Sequence, residues 1–206
     1  MIAAAKAATQ FHGAASRHRQ GAAATCAAVV AMLASAPAAR AQTPPAHAWV
    51  PGGAFIQLGE SRDGTRMATL GLQWQSGWRH GWWGGQLGYS TEALLGHWRA
   101  PGPRGGHETY THLALVPMLR NRADGGRSRW FLEGGIGVSL TDNVYRGAHK
   151  QFSTTFNFVD VIGVGYSFGA AREHELGLRV VHISNADVKK PNPGMDSLQL
   201  RYARMF

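Results

Sequence analysis

The chain has 206 residues, room for one domain, with 21 basic and 12 acidic residues, 27 glycines, 10% aromatics and a net charge of +9. Charged residues are only 16% of the total against a typical ~25%, which excludes a disordered charged tail protein. One cysteine excludes a disulfide framework and a cysteine-rich zinc module.

Residues 1–41 read as a secretory signal peptide. Lys6, Arg17 and Arg19 form a basic front, an Ala-rich apolar run follows from Ala22 to Ala36, and Ala39-Arg40-Ala41 is a small-x-small cleavage site. Removing them takes away four basic residues and Cys26, and leaves 17 basic against 12 acidic residues, or +5. Much of the basicity therefore belongs to export, which weakens a nucleic-acid-binding reading. Residues 42–206 remain as the second region, read as the barrel.

In that region the dominant signal is a two-residue period, the mark of strands with unlike faces. About eight strands are predicted, near 53–60, 66–75, 82–96, 107–120, 128–141, 153–168, 173–184 and 196–206. The first and fourth are ambiguous in parity. In the third, Trp83, Leu87, Tyr89, Ala93 and Leu95 oppose Gly84, Gln86, Gly88, Ser90 and Glu92. In the fifth, Trp130, Leu132, Ile136, Val138 and Leu140 oppose Glu133, Gly135, Gly137 and Ser139. The sixth follows suit with Phe156, Phe158, Ile162, Val164, Tyr166 and Phe168, interrupted by Asp160 on the apolar parity. The last sets Leu198, Leu200, Tyr202 and Phe206 against Gln199, Arg201 and Ala203. Short connections are expected at Gln75–Gly81, Asn121–Arg127 and Gly169–Arg172, with longer ones around 97–106, 142–152 and 185–195. One apolar-aromatic face, one small or polar face, and alternating short and long turns predict an all-β fold: an eight-stranded antiparallel transmembrane β-barrel of the outer-membrane type. A soluble barrel would turn its apolar face inward, and water would be a poor solvent for this outer parity.

Four clusters invite a chemical reading. His107-Glu108 with His112 has histidines five apart in a strand, hence on opposite faces and unsuited to one metal. Arg120, Arg122, Arg127 and Arg129 surround a short turn and read as a solvated rim against lipid headgroups. Gly165-Tyr166-Ser167-Phe168-Gly169 matches the nucleophile-elbow pattern, but that elbow needs a following helix, and Ser167 falls on the inward parity. The fourth is the last hairpin. His182 and Ser184 continue the outward parity of Leu176, Leu178 and Val180, and Asp196 begins the outward parity of the next strand. Residues i and i+2 are roughly 6.5–7 Å apart on one side of a strand. A base, a hydroxyl and an acid on one face can form a Ser-His-acid triad. The same residues would also suit a polar ring at a membrane boundary, and Asp187 and Asp160 are alternative acids.

Read as R-V-V-H-I-S-N-A-D-V-K-K-P-N-P-G-M-D, Arg179–Asp196 resembles the C-terminal signature of the PagL family of outer-membrane lipid A 3-O-deacylases. The resemblance is strongest over 179–206. It implies an esterase that removes the 3-O-linked acyl chain of lipid A, with Ser184 as nucleophile, His182 as base and Asp196 as acid. Asp196 departs from the family's usual Glu, one methylene longer. The resemblance also implies an oxyanion and substrate-binding set of Asn192, the backbone amides near Ala186 and Asp187, and Asn185 of the His-x-Ser-Asn motif. Asp187 stands where the family has Gly. The implied partners are lipid A in lipopolysaccharide, the outer membrane of a Gram-negative cell and a possible homodimer, with no nucleic acid and no cofactor or metal. With both ends of the barrel in the periplasm, the loop between the last two strands emerges at the cell exterior. Lys189, Lys190, Arg99, Arg104, Arg146 and Lys150 lie in the outer loops, placed to meet lipid A phosphates, although the periplasmic turns are as basic. The competing readings are an inert barrel or adhesin, and a phospholipase or acyltransferase.

Overall fold

The computed structural model describes residues 50–206. The signal-peptide reading of residues 1–41, Cys26 included, lies outside the described residues. Eight antiparallel strands follow one another in chain order: β1 (Gly53–Ser61), β2 (Arg66–Trp82), β3 (Gly85–Pro101), β4 (His107–Arg122), β5 (Trp130–Thr141), β6 (Phe156–Phe168), β7 (His174–Ser184) and β8 (Met195–Met205). Each pairs with the next and β8 pairs back with β1, so the sheet closes and leaves no free edge.

Parity sets the two surfaces. Leu58, Leu70, Leu95, Leu113, Leu132, Ile136, Ile162, Leu178 and Leu198 all stand exposed on the outside. Burial of such a band needs lipid, because side chains already fill the inside. Trp78, Trp82, Trp83, Trp130, Tyr89 and Phe168 gather at the end of the short turns. That is the amphipathic girdle expected at a membrane interface.

Two expectations are corrected. The first short turn is not at 75–81. β2 continues to Trp82 through a register slip between Gln75 and Arg79, and the chain reverses at Trp83 and Gly84. Both residues have positive φ, +49° and +68°, as a two-residue hairpin turn of the I′ kind requires. The second concerns the arginines. Arg120 and Arg122 do not form a lipid-facing rim, because the even positions of β4 face inward, as Ala114, Val116 and Met118 show. Arg127 and Arg129 are the exposed members of that cluster.

The interior is narrow and charged. Arg179 on β7 donates to both oxygens of Glu92 on β3, at 2.7 and 2.9 Å, and through Nε to Glu133 on β5 at 2.7 Å. Arg201 on β8 reaches Glu92 at 3.2 Å and Gln73 at 2.7 Å. Arg120 joins Glu133 to Glu175, and Arg122 meets Glu175 and the Ser167 hydroxyl. Arg201 and Arg120 also lie over the rings of Phe55 and Phe131, 4.4 and 3.8 Å from the centroids. Those rings need glycine opposite: a Cβ on Gly71 or Gly165 would fall within 2.2 Å of Phe55 or Phe131.

At the long-loop end, the β5–β6 connection folds into the mouth. Tyr145 and Phe152 are fully buried beside Tyr110, and Trp98 adjoins Tyr145 edge-on. The Tyr145 hydroxyl donates to Asp63 in the β1–β2 connection at 2.7 Å. Burial alone would raise the Asp63 carboxyl, but hydrogen bonds from Ser61 and Tyr145 outweigh it and hold the group below its usual value. Burial likewise pushes the Tyr145 phenol up.

Arg179→Met is expected to leave the buried Glu92 and Glu133 with one arginine partner each, Arg201 and Arg120, and to destabilise the barrel by up to ~3–5 kcal/mol. Urea unfolding in detergent, followed by heat-modifiable migration, measures this, and adding Glu92→Gln should recover part of the loss. An unchanged unfolding midpoint would mean that the pairing contributes nothing net.

Candidate active site

The last hairpin places the polar residues of the long-loop end on the outside. β7 ends at Ser184 and β8 begins at Met195. His182 pairs directly with Asp196 across the two strands, and with Asp160 of β6 on its other side. Asp160, His182 and Asp196 therefore form one outward row over three strands. The row continues just past the end of β1, where the backbone amide of Arg62 donates to the Asp196 carbonyl at 3.3 Å. Ser184 lies one step nearer the loop, on the same face as His182.

Within this row the hydrogen bond to the imidazole goes to Asp196: His182 Nδ1 and Asp196 Oδ1 are 2.7 Å apart. Direct cross-strand pairing makes the shorter Asp side chain long enough. Engagement of Nδ1 with a carboxylate leaves Nε2 as the nitrogen available to a hydroxyl. Both side chains are partly open, 41% and 48% exposed, so the pair is reachable from outside the barrel. Asp187 is engaged elsewhere, accepting from Asn192 Nδ2 at 3.2 Å.

The β7–β8 loop holds its shape by backbone turns and side-chain ties. Ala186 and Asp187 both have positive φ, +51° and +61°, and the Val188 amide donates to the Asn185 carbonyl at 3.1 Å. Asp187 thus keeps the left-handed conformation that Gly adopts more easily. Asn192 accepts from the Asn185 amide through Oδ1 at 3.0 Å, so its own side-chain amide stays beside the 186–187 turn. Asn185, expected with the substrate-binding residues, is 3% exposed. Its Nδ2 donates to the Lys189 carbonyl at 2.7 Å and to the Ser153 hydroxyl at 2.9 Å. Its odd position faces it inward, and it ties the β7–β8 loop to the β5–β6 loop. Lys150 of that second loop donates to the Gly194 carbonyl at 3.0 Å.

Gly194 is the residue whose role the sequence did not reveal. Its φ is +64°, and a Cβ there would lie 2.8 Å from His182 Cε1. The space occupied by the imidazole exists because residue 194 has no side chain. The other chemical candidates fall apart: Ser167 is fully buried between Arg122 and Glu175, His107 is exposed, and His112 is buried against Trp98.

Residues 68–204 match the family model for lipid A 3-O-deacylase (PagL). This chain belongs to that family. The lipid A deacylase PagL of Bordetella bronchiseptica is 32% identical over 157 residues, covering 75% of this chain and 84% of the relative. Its counterpart in Pseudomonas aeruginosa is 35% identical over 179 residues, covering 85% and 94%. A crystal structure of the outer membrane enzyme PagL aligns with a TM-score of 0.63 at 26% identity, over 75% of this chain and 99% of that one. The barrel is accordingly an outer-membrane hydrolase, and its exposed leucine band is its lipid contact.

Gly194→Ala should push the His182 ring away from Asp196. A crystal structure of the variant that still shows Nδ1 and Oδ1 in hydrogen-bond contact would contradict this.

Proposed function

We propose that this chain hydrolyses the 3-O-linked acyl ester of lipid A by a Ser-His-Asp mechanism on the lipid-facing surface, at the level of the outer leaflet. The observation that carries the reading is the 2.7 Å contact between His182 Nδ1 and Asp196 Oδ1, on the face that also bears Ser184. The names of the relatives supply the substrate class.

His182 Nε2 takes the proton of the Ser184 hydroxyl as its oxygen attacks the ester carbonyl. Asp196 holds the imidazole tautomer and stabilises the cation that forms. Negative charge then develops on the carbonyl oxygen. The Asn192 side-chain amide and the backbone N–H groups at Ala186 and Asp187 are the donors assigned to it. The protonated His182 gives its proton to the departing sugar hydroxyl, leaving an acyl group on Ser184. Water, activated by His182, releases the fatty acid. These steps require no metal or organic cofactor.

Orientation follows from export. A signal peptide over residues 1–41 would deliver the chain to the periplasm, and an even strand number returns both barrel ends to the same side. The β7–β8 loop then opens at the cell exterior, the leaflet that holds lipopolysaccharide.

Ser184→Ala and His182→Ala should each lower lipid A deacylation by several orders of magnitude while the barrel still folds, and Ser167→Ala should leave it intact. Mass spectrometry of lipid A after incubation with refolded protein reads the result. Release of a fatty acid from phospholipid but not from lipid A would replace this reading with a phospholipase.

Asp196→Asn keeps the shape but removes the charge, a change that costs roughly 10⁴-fold in a serine protease. Asp196→Glu should retain part of the activity, since the side chain is half exposed and has room. Initial rates of the two variants under one set of conditions make the comparison. An Asp196→Asn protein as active as the unmodified one would remove Asp196 from the mechanism.

A further inference from the structure

A second polar cluster lies on the outer face, across β1 from the His182–Asp196 row. Arg66 on β2 and Arg99 on β3 are direct cross-strand partners. Both are exposed and on the outward parity. Like charges directly opposite each other on a sheet are unfavourable. Little on the protein offsets this pair. Glu60 lies 3.8 Å from Arg66, but both side chains are more than half exposed, so their attraction is weak. Arg99 donates to His107 Nδ1 at 3.2 Å, a contact with a base rather than an acid. His97 lies one step below on the same face, opposite Ala68.

Beneath the arginines runs a groove of about 530 Å³ whose floor includes Leu58, Gly59, Ala68, Leu198 and Leu200. Ala68, small and outward-facing, forms the depression between larger leucines, and the backbone of Gly59 borders it. Leu198 is two residues from Asp196 on the same face of β8, so groove and triad face are continuous. Neighbouring strands are about 4.8 Å apart, which places Arg66 roughly 14 Å and Arg99 roughly 19 Å across the sheet from β7, the strand of Ser184. The headgroup of a phosphorylated disaccharide lipid, met by long arginine side chains, covers that span.

We propose that Arg66 and Arg99 hold a phosphate of lipid A, whose acyl chains lie along the groove between β8 and β2 while its ester meets Ser184. The proposal rests on the deacylase reading. Two guanidinium groups flanking one phosphate turn an unfavourable pair into a bidentate anion site. Apolar floor and cationic upper rim match the two halves of a phosphorylated glycolipid. Arg99, expected in an outer loop, stands instead near the end of β3, which runs to Pro101, and the structure adds Arg66 as its cross-strand partner.

The test separates binding from hydrolysis. Native mass spectrometry in detergent measures binding of lipid A and of dephosphorylated lipid A to the Ser184→Ala protein, with and without Arg66→Gln and Arg99→Gln. Loss of the two charges should weaken lipid A binding about 10-fold and leave dephosphorylated lipid A unaffected. Paired Arg→Lys replacements should restore part of the binding. In the active protein the double Gln variant should raise KM for lipid A by a similar factor, with kcat within about twofold. Equal binding of lipid A with and without the arginines would overturn the proposal, as would an equal loss for both lipids. Displacement of lipid A by inorganic phosphate at the same concentration would overturn the commitment to a lipid. An unmodified protein inactive on lipid A would refute the deacylase reading instead, while the binding comparison still decides the role of the arginines. Heat-modifiable migration confirms that each variant is folded.

Discussion

Arg179 and the two carboxylates it holds govern how the rest of this barrel is built. An eight-stranded barrel has room inside for side chains and little else. Here the room is filled by ionised groups from β3, β5, β7 and β8 that meet near the axis. Removing any one leaves an uncompensated charge in a space that cannot rehydrate. The network therefore fixes the register of those strands more strictly than an apolar filling would, because an arginine fork accepts few geometries. Arg179 stands three residues before His182 on β7. An odd spacing on a strand puts the two on opposite faces. Anchoring Arg179 inward thus presents His182 outward, and the next outward position is Ser184.

The outer row has the opposite problem. Polar side chains on a lipid-facing surface are costly unless they satisfy one another. His182 and Asp196 do so as a cross-strand pair at the loop end, where the apolar band gives way to charged and hydroxyl residues. The loop above them carries backbone strain of a kind that concentrates at functional sites. Ala186 and Asp187 occupy left-handed conformations without being glycine. Two things hold the turn in place: Asn185, buried beneath it, and Asn192, bonded to both its ends. That gives it the rigidity the proposed backbone donors would need.

The strand plan was legible because lipid outside and a narrow interior both enforce alternation. β5 to β8 follow the parity closely, and His182, Ser184 and Asp196 could be placed on one face from parity alone. Legibility failed where alternation weakened. β4 mixes threonine, histidine and proline on its outward face, so Arg120 and Arg122 could not be assigned inward from the sequence. The β2–β3 turn was misplaced because Gly77 and Gly81 resemble turn residues, whereas the actual reversal uses Trp83, an uncommon residue at positive φ. Period 2 tells which face a side chain occupies but not which partner it meets. The Arg179–Glu92 pairing joins residues 87 apart, and no local pattern announces it. Asn185 shows the same limit: its motif suggested substrate contact, while its parity and burial make it a tie between loops. Gly194 matters through the side chain it lacks, and its neighbour His182 is found only once the hairpin is closed.

A filled interior also constrains how any substrate can arrive. Arg179, Arg201, Phe55 and Trp98 are all buried within the barrel, and Tyr145 and Phe152 close its loop end. A lipid cannot thread through, and the outer wall offers an open groove, such as the one beneath Arg66 and Arg99, rather than an enclosed cavity. On the proposed reading, recognition comes from the wall, with acyl chains lying against leucines and charged headgroups meeting side chains at the level where the membrane turns polar. Selectivity on such a surface depends on spacing along and across the strands. Strand pairing sets that spacing, and the buried ion network helps to fix the pairing. The arginine at the centre of the barrel and the His182–Asp196 pair at its surface are coupled through one strand.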